Sequence, residues 1–226
     1  MEILLIRHGD PDYANDTLTD RGFKEARLLA QALVPLSIDK LYVSPLGRAQ
    51  ATCAFTSQAK GLSSTTLDWL RERGIKRGPV YLWEAPGEMF LSSETLACQD
   101  DWHKPEGAMP EGAEQFARVR AGFDDLLGSY GYVRDGHGYR VLKRSNERIA
   151  LFCHKGVILT LLADVLHWAL PMIFVSLHIH PTGVTRLEVV EEDSFAHLKA
   201  LVINDLSHLG STLLAPPTQR SRKAEA

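Results

Sequence analysis

An uninterrupted apolar run near the start of the chain limits the folds that this sequence can adopt. Residues 2–6, EILLI, are too few for a stable helix and show no alternation of apolar and polar side chains. A strand covered on both faces has this pattern, and such strands are typical of parallel sheets flanked by helices. The run ends in Arg7, His8 and Gly9. Two side chains that can carry positive charge therefore follow directly on a buried strand.

Short apolar segments alternate with helical patterns in the first third of the chain. LTDRGFKEARLLAQALV predicts a helix with Thr19 at its N-cap, because apolar residues recur at helical spacing after it. DKLYVSP predicts a second strand that ends at Ser44. SPLGRAQATCAFTSQA then predicts a helix with Ser44 at its N-cap and Pro45 at its first position.

The alternation continues through the rest of the chain. We predict a short strand over 65–70, a helix in EGAEQFARVRAGFDDLLGSYG and a strand in RIALFC, with the Gly-rich RDGHGYRVLKRSNE as a connection. A helix over 156–169 and three strands complete the pattern, the strands lying in FVSLHIH, VTRLEVVEE and, at an edge, AHLKALVIND. This order predicts an α/β fold, a three-layer α/β/α sandwich with a largely parallel sheet and helices on both faces.

The length of 226 residues fits one domain with a large insertion. We assign residues 1–215 to a single domain and 73–148 to an inserted, lid-like helical region within it, because regular patterning fades from Gly74 to about Pro110. Residues 216–226 carry no apolar pattern and are predicted to be disordered.

Charge and cysteine content exclude several classes of protein. The net charge of -3 gives no global field for nucleic acid or an anionic membrane. The apolar run at 156–177 is interrupted by polar residues, so a buried helix and strand explain it better than a membrane span. Three cysteines without C-x-x-C spacing, and an N-terminal run unlike a signal peptide, predict a cytoplasmic protein.

Three predicted strands end in groups that bind anions. The first strand ends in Arg7 and His8, the second in Ser44 with Arg48 one turn into the next helix, and RIALFC ends in His154. Ligands of open α/β sheets bind at the carboxyl ends of the strands. Two guanidinium and two imidazole groups at one sheet edge predict a pocket for a compact dianion, and phosphate is the natural candidate.

Several motifs resemble the histidine phosphatase superfamily, which is also called phosphoglycerate mutase-like. Three carry most of the resemblance: LLIRHG, SPLGRAQATC and ALFCHKGV. Three more agree in order along the chain: LTDRG, MPEGAEQF and INDLSHL. R-H-G alone occurs by chance, but the ordered set is a specific indication.

The resemblance implies a two-step phosphoryl transfer. It makes His8 the nucleophile that forms a phosphohistidine, while Arg7, Arg48 and His154 bind the phosphate oxygens. It also makes Glu72, in LRERG, the acid that protonates the leaving oxygen. No metal or other cofactor is required when guanidinium groups stabilise the charge.

Two features depart from the family pattern. A Gly-aromatic-x-Gly turn often follows the acidic residue in the family, but this chain continues with IKRGPVYLWEAPGE, so Glu84 and Glu88 remain alternative acids. Lys155 stands where many members have a small residue; it either contacts phosphate or points into solvent, and we favour solvent. His178 and His180 share a face of their predicted strand, but without a further ligand nearby we expect no metal site.

These observations favour a phosphatase that hydrolyses a small-molecule phosphate ester. A phosphoglycerate mutase that uses the same residues is the nearest alternative, and a non-catalytic module that binds a phosphorylated ligand is the second. The sequence identifies neither the ester nor the oligomeric state, because substrate discrimination falls in the weakly patterned residues 73–110.

Overall fold

A mixed sheet forms the centre of the structure, a computed structural model that describes residues 1–77, 80–82, 84, 86–92, 102 and 110–210. In chain order, the eight strands of this sheet are β1 (Glu2–Arg7), β4 (Lys40–Val43), β5 (Ser64–Thr66), β8 (Tyr132–Asp135), β9 (Gly138–Val141), β10 (Arg148–Cys153), β11 (Val184–Glu192) and β12 (Phe195–Asp205). Two hairpins stand apart from it, β2 (Pro11–Asp12) with β3 (Thr17–Leu18), and β6 (Lys76–Arg77) with β7 (Val80–Tyr81).

The strand order is β5-β4-β10-β1-β11-β12-β9-β8. The first four strands in this order are parallel, and each of the remaining four is antiparallel to the neighbour before it. The predicted α/β fold is confirmed, with the parallel half of the sheet containing the three strands that were expected to carry the site.

Helices cover both faces of the sheet, as the apolar first strand predicts. They are α1 (Asp20–Leu33), α2 (Gly47–Lys60), α3 (Glu88–Leu91), α4 (Pro110–Ser129), α5 (Lys155–Leu166) and α6 (Leu170–Ser176), with short 3-10 helices at Asp68–Leu70 and Ser207–Leu209. In β1, Leu4 and Ile6 pack into the cluster with α1 and α2, whereas Ile3 and Leu5 pack into the cluster with α4, α5 and α6. All four side chains are fully buried, which explains why this strand has no polar alternation.

Helix starts differ from the sequence prediction in one case and agree in another. Thr19 caps α1 as predicted, since its hydroxyl accepts a hydrogen bond from Gly22 N at 3.1 Å. Helix α2 begins at Gly47, two residues later than expected, and Ser44 is not its N-cap. A carboxylate from another segment takes that role, because Gly47 N donates to Asp16 Oδ2 at 2.7 Å.

Three other element predictions are corrected. Residues 170–176 form helix α6, which accommodates Pro171 because proline is tolerated in the first turn of a helix. Residues 177–180, the rest of the predicted strand, form no strand. The connection predicted after α4 contains the hairpin β8–β9, whose turn at Asp135-Gly136 has the φ of +60° that glycine permits. Strand β12 is not at the sheet edge but between β11 and β9.

Smaller boundary differences remain at two ends. The strand predicted at 65–70 is β5, which stops at Thr66 before a 3-10 turn. Helix α5 stops at Leu166, where His167 takes a left-handed φ of 54°. The domain limits and the lid-like role of 73–148 stay predictions. The tail 216–226 and parts of 73–148 lie outside the described residues. The described part of 73–148 includes α4 and the β8–β9 hairpin of the main sheet. None of the described helices is long and apolar enough to cross a membrane.

A charged network joins the antiparallel half of the sheet to its helices. Arg134 on β8 binds Asp164 of α5 at 2.5 Å and Asp124 of α4 at 2.8 Å. Tyr139 on β9 donates to Asp124 at 2.9 Å, and Arg120 lies 3.4 Å from Asp164. The Asp164 side chain is only 7% exposed, so its charge depends on these guanidinium partners for stabilisation.

We expect Asp164→Ala to destabilise the protein by about 3 kcal/mol, because it leaves the partly buried Arg134 short of one partner. Chemical denaturation measures this change in the free energy of unfolding. Asp125→Ala is the matched control, since Asp125 is an exposed residue of α4 and should change stability by less than about 0.5 kcal/mol. Equal losses in both variants would contradict a structural role for the network.

Candidate active site

The parallel pairing of β1, β10 and β4 brings the predicted site residues to one edge of the sheet. Arg7 pairs with Cys153, and Phe152 pairs with Val43, so the three strands end side by side. His8 and His154, which directly follow two of these strands, lie with their ring centroids 5.1 Å apart.

His8 is held in one orientation by backbone contacts. Its ring is 2% exposed, and Nδ1 lies 2.7 Å from the carbonyl oxygen of Gly9. A carbonyl only accepts, so Nδ1 carries the proton and Nε2 keeps its lone pair. Burial, reinforced by the charges of Arg7 and Arg48, lowers the pKa of His8 to about 3. The imidazole is therefore neutral near pH 7.

The two arginines are anchored by different acceptors. Arg7 donates from Nη1 to the carbonyl oxygen of Ile179 at 2.6 Å. Arg48 donates from Nη1 to Asp16 Oδ1 at 2.7 Å, and the ring of Tyr13 lies 5.4 Å from its guanidinium carbon. The Nε atoms of both arginines are buried without a hydrogen-bond partner among the described residues. Each arginine thus retains a donor that a bound anion would satisfy.

His154 is oriented by the strand next to its own. Its Nε2 lies 2.7 Å from Ser44 Oγ, and Ser44 Oγ also accepts from Leu46 N at 3.3 Å. A hydroxyl oxygen accepts up to two hydrogen bonds, so this contact is compatible with the ring proton on either nitrogen of His154. His154 Nδ1 is buried without a hydrogen-bond partner among the described atoms. Burial, followed by electrostatic repulsion from His8, Arg48 and Arg7, keeps the pKa of His154 well below its ordinary value.

Glu72 reaches the same region from the loop after the 3-10 helix Asp68–Leu70. Its Oε1 atom is buried and has no hydrogen-bond partner in the described part of the chain. Burial raises the pKa of Glu72 to about 7, although the charges of Arg7 and Arg48 and the nearby backbone of Gly156 oppose the shift. A carboxyl group in this environment is protonated over part of the neutral range.

Gly156 is required for the approach of Glu72 to helix α5. A Cβ atom added to Gly156 would lie 2.3 Å from Glu72 Oε1, which is far inside van der Waals contact. Sequence reasoning did not identify this glycine as part of the site, because its role depends on a contact across 84 residues of chain. The same holds for Asp16, which binds Arg48 and Gly47 from the turn after β2.

The alternative residues from the sequence lie differently. Glu84 and Glu88 are both exposed, and Glu88 begins the short helix α3. Lys155 is half-buried at the start of α5. His178 and His180 contact each other with ring centroids 4.4 Å apart, although they lie outside any strand. In the described residues, no group of three or more side chains of the metal-binding types lies together.

The fold places guanidinium and imidazole groups at the ends of parallel strands, an arrangement suited to a compact anion. Residues 3–201 match the family model of the histidine phosphatase superfamily, branch 1. The chain belongs to this superfamily, as its motifs predicted.

Two relatives of known name align with parts of the chain. A probable phosphoglycerate mutase of Yersinia enterocolitica is 29% identical over 145 residues, which is 56% of this chain and 63% of that protein. A probable phosphatase of Schizosaccharomyces pombe is 36% identical over 63 residues, 24% of this chain and 30% of that one. The chain therefore covers less than two thirds of the length of either relative.

Solved structures agree in fold over most of the chain. Phosphoserine phosphatase of Entamoeba histolytica, in complex with 3-phosphoglyceric acid, has a TM-score of 0.62 and 20% identity, with 92% of this chain and 98% of that one covered. Mycobacterial glucosyl-3-phosphoglycerate phosphatase with inorganic phosphate has a TM-score of 0.63 and 19% identity at the same coverage. At these identities the likeness establishes the fold.

We expect Gly156→Ala to lower kcat for an alkyl phosphate by about 100-fold, since the added methyl group must displace the proposed proton donor. Steady-state kinetics measure the loss, and circular dichroism checks that the variant folds. Gly128→Ala is the matched control, because a Cβ atom there meets no atom within 4 Å. An active Gly156→Ala enzyme would show that Glu72 does not need its observed position.

Proposed function

We propose that the protein is a metal-independent phosphoric monoester hydrolase that works through a phosphohistidine on His8. The observation that carries the proposal is the state of His8: neutral, buried, and hydrogen-bonded so that Nε2 is the free nitrogen. Neutral imidazole with a fixed tautomer is a competent nucleophile near pH 7.

In the first step, His8 Nε2 attacks phosphorus, the ester P–O bond breaks, and the leaving oxygen takes a proton from Glu72. In the second step, water attacks the phosphohistidine and gives a proton to the Glu72 carboxylate, the N–P bond breaks, and phosphate is released. Arg7, Arg48 and His154 bind the non-bridging oxygens in both steps. Because the transition state for phosphoryl transfer is loose, charge stabilisation and positioning supply most of the rate.

The buried donors support this arrangement. Arg7 Nε and Arg48 Nε are buried N–H donors without a hydrogen-bond partner among the described residues, and His154 Nδ1 is a third when it carries the ring proton. The oxygens of a phosphate group would satisfy all three. Because the Arg7 and Arg48 charges also lower the pKa of His8, the same groups that bind phosphate keep the nucleophile neutral.

A cytoplasmic location is part of the same proposal. Cys53 and Cys153 are buried free thiols. Burial raises the pKa of both thiols, of Cys53 to about 12, so neither is a nucleophile. Thiols retained in this form are typical of proteins from a reducing compartment.

Mutase activity is a second candidate, and the sequence likeness to the probable phosphoglycerate mutase of Yersinia enterocolitica favours it. A mutase would return the phosphoryl group from His8 to another hydroxyl of the substrate. Interconversion of 2- and 3-phosphoglycerate, stimulated by the bisphosphorylated intermediate, would replace hydrolysis as the main activity. A non-catalytic role is tested by the same phosphoenzyme experiment as the hydrolase.

We expect the purified protein to hydrolyse p-nitrophenyl phosphate in the presence of EDTA, and His8→Ala to lose at least about 1,000-fold in kcat. The phosphoenzyme of the wild type, trapped by mixing with labelled substrate, should be labile to acid and stable to alkali. Equal inertness of wild type and variant across a panel of phosphate esters would refute the hydrolase proposal.

The pH profile provides a separate test of Glu72. Because the acid form is needed and burial raises the pKa of Glu72 to about 7, kcat/KM for an alkyl phosphate should fall as pH rises through about 7. A bound phosphate dianion raises this pKa further, so the fall in kcat should occur at higher pH than the fall in kcat/KM. Glu72→Gln should lower kcat/KM for an alkyl ester by about 100-fold. The rate of phosphoenzyme formation from p-nitrophenyl phosphate should fall much less, because its leaving group needs no proton. Equal losses with both esters would rule out Glu72 as the acid.

A further inference from the structure

A cavity of about 270 Å³ next to the proposed phosphate site has a mixed lining. Leu82, Phe174 and Leu177 contribute apolar surface, while Lys155 and His178 contribute polar groups. None of the described residues that line the cavity is acidic. Pockets for drug-sized ligands measure roughly 300 to 1,000 Å³, so this cavity suits a small portion of a metabolite.

The cavity lies on the side of the site where Glu72 is found. Lys155 directly follows His154 and is the first residue of α5. Phe174, which lines the cavity, approaches to 3.7 Å of the position that a Cβ atom on Gly156 would occupy, and Glu72 borders the same position. Glu72, the proposed proton donor, therefore lies close to the cavity wall that Phe174 forms.

The segment that carries His178 is fixed to the phosphate site. The carbonyl oxygen of Ile179 accepts from Arg7 at 2.6 Å, and His180 N donates to Asn204 Oδ1 at 2.8 Å. The rings of His178 and His180 contact each other edge to face. The position of His178 at the cavity is thus coupled to that of Arg7 rather than left to a free loop.

Among the described residues that line the cavity, the ionisable side chains are cationic or neutral near pH 7. Burial, and then the ammonium group of Lys155, lower the pKa of His178 to about 4, so His178 is a neutral imidazole near pH 7. A neutral imidazole still offers an N–H donor. One cation and one neutral donor in a partly apolar cavity match a single anionic group at the end of a short carbon chain.

We propose that this cavity binds a second anionic group, a carboxylate or a phosphate, on the alcohol portion of the substrate. Lys155 forms the ion pair, His178 donates a hydrogen bond, and the apolar wall contacts the carbons between the two ends. The inference rests on the proposed hydrolase function and adds the class of substrate: small phosphate esters whose alcohol carries its own negative charge.

Two charged esters, each compared with n-propyl phosphate, test the proposal. In 3-(phosphonooxy)propanoate a carboxylate replaces the terminal methyl group of n-propyl phosphate, and in 1,3-bis(phosphonooxy)propane a phosphate group replaces one hydrogen of that methyl group. We expect wild-type kcat/KM to favour at least one of the charged esters over n-propyl phosphate by about tenfold or more. The two charged esters compared with each other identify the preferred anion.

Lys155→Met and His178→Phe locate the effect. Lys155→Met should reduce the ratio of kcat/KM for the charged ester to kcat/KM for n-propyl phosphate to about one. His178→Phe, which keeps a ring but removes its N–H donor, should reduce this ratio in part. Lys143→Met is the matched control, since Lys143 is exposed in the loop before β10, at the opposite end of that strand, and the preference should remain.

The outcomes separate this inference from the hydrolase proposal. If wild type hydrolyses the esters with equal kcat/KM, or if Lys155→Met keeps the preference, the subsite is wrong while the hydrolase proposal stands. If wild type hydrolyses no phosphate ester, including p-nitrophenyl phosphate, both fall together.

Discussion

The parallel pairing of β1 with β10 determines the rest of the site. Its register, with Arg7 opposite Cys153, makes His8 and His154 neighbours although 145 residues separate them in the chain. A shift of one residue would move one of the two imidazoles to the other face of the sheet. The register is fixed by burial on both faces, since Leu4 and Ile6 belong to one apolar cluster and Ile3 and Leu5 to the other.

The electrostatics of the site follow from the burial of its cationic and ionisable groups. Arg7 and Arg48 lie beside two imidazoles whose pKa values are lowered by burial first and by charge second. The same burial raises the pKa of Glu72, so one environment favours neutral forms of both histidines and of the carboxyl group. A dianion that enters this region meets the charge of Arg7 and that part of the Arg48 charge which the Asp16 carboxylate does not neutralise.

Much of the fold was predictable because its central strands have strong, local patterns. The apolar run of β1 and the cap at Thr19 are such features, and both are confirmed. The meeting of His8, Arg48 and His154 was also predictable, since each follows or adjoins the end of a predicted strand. Their catalytic roles remain predictions.

The errors in the sequence analysis arose where non-local contacts or proline position outweighed the local pattern. The segment FVSLHIH looked like a strand, but its first residues belong to α6, in whose first turn Pro171 lies. Ser44 looked like a cap but contacts His154 instead. The true cap of α2, Asp16, comes from a turn 31 residues earlier. Gly156 has no local pattern at all, because its importance depends on how closely Glu72 approaches from another loop.

Asp16 also affects how tightly the site binds an anion. One of its carboxylate oxygens accepts from Arg48 and the other from Gly47, so the guanidinium is already partly neutralised. An anion at Arg48 therefore gains less than it would from an unpaired arginine, because the two negative groups share one cation. A pocket with an unpaired arginine in this position would bind inorganic phosphate, the product of the proposed hydrolase, more tightly. The Asp16 carboxylate, in the turn after β2, thus moderates the affinity of the site for an anion.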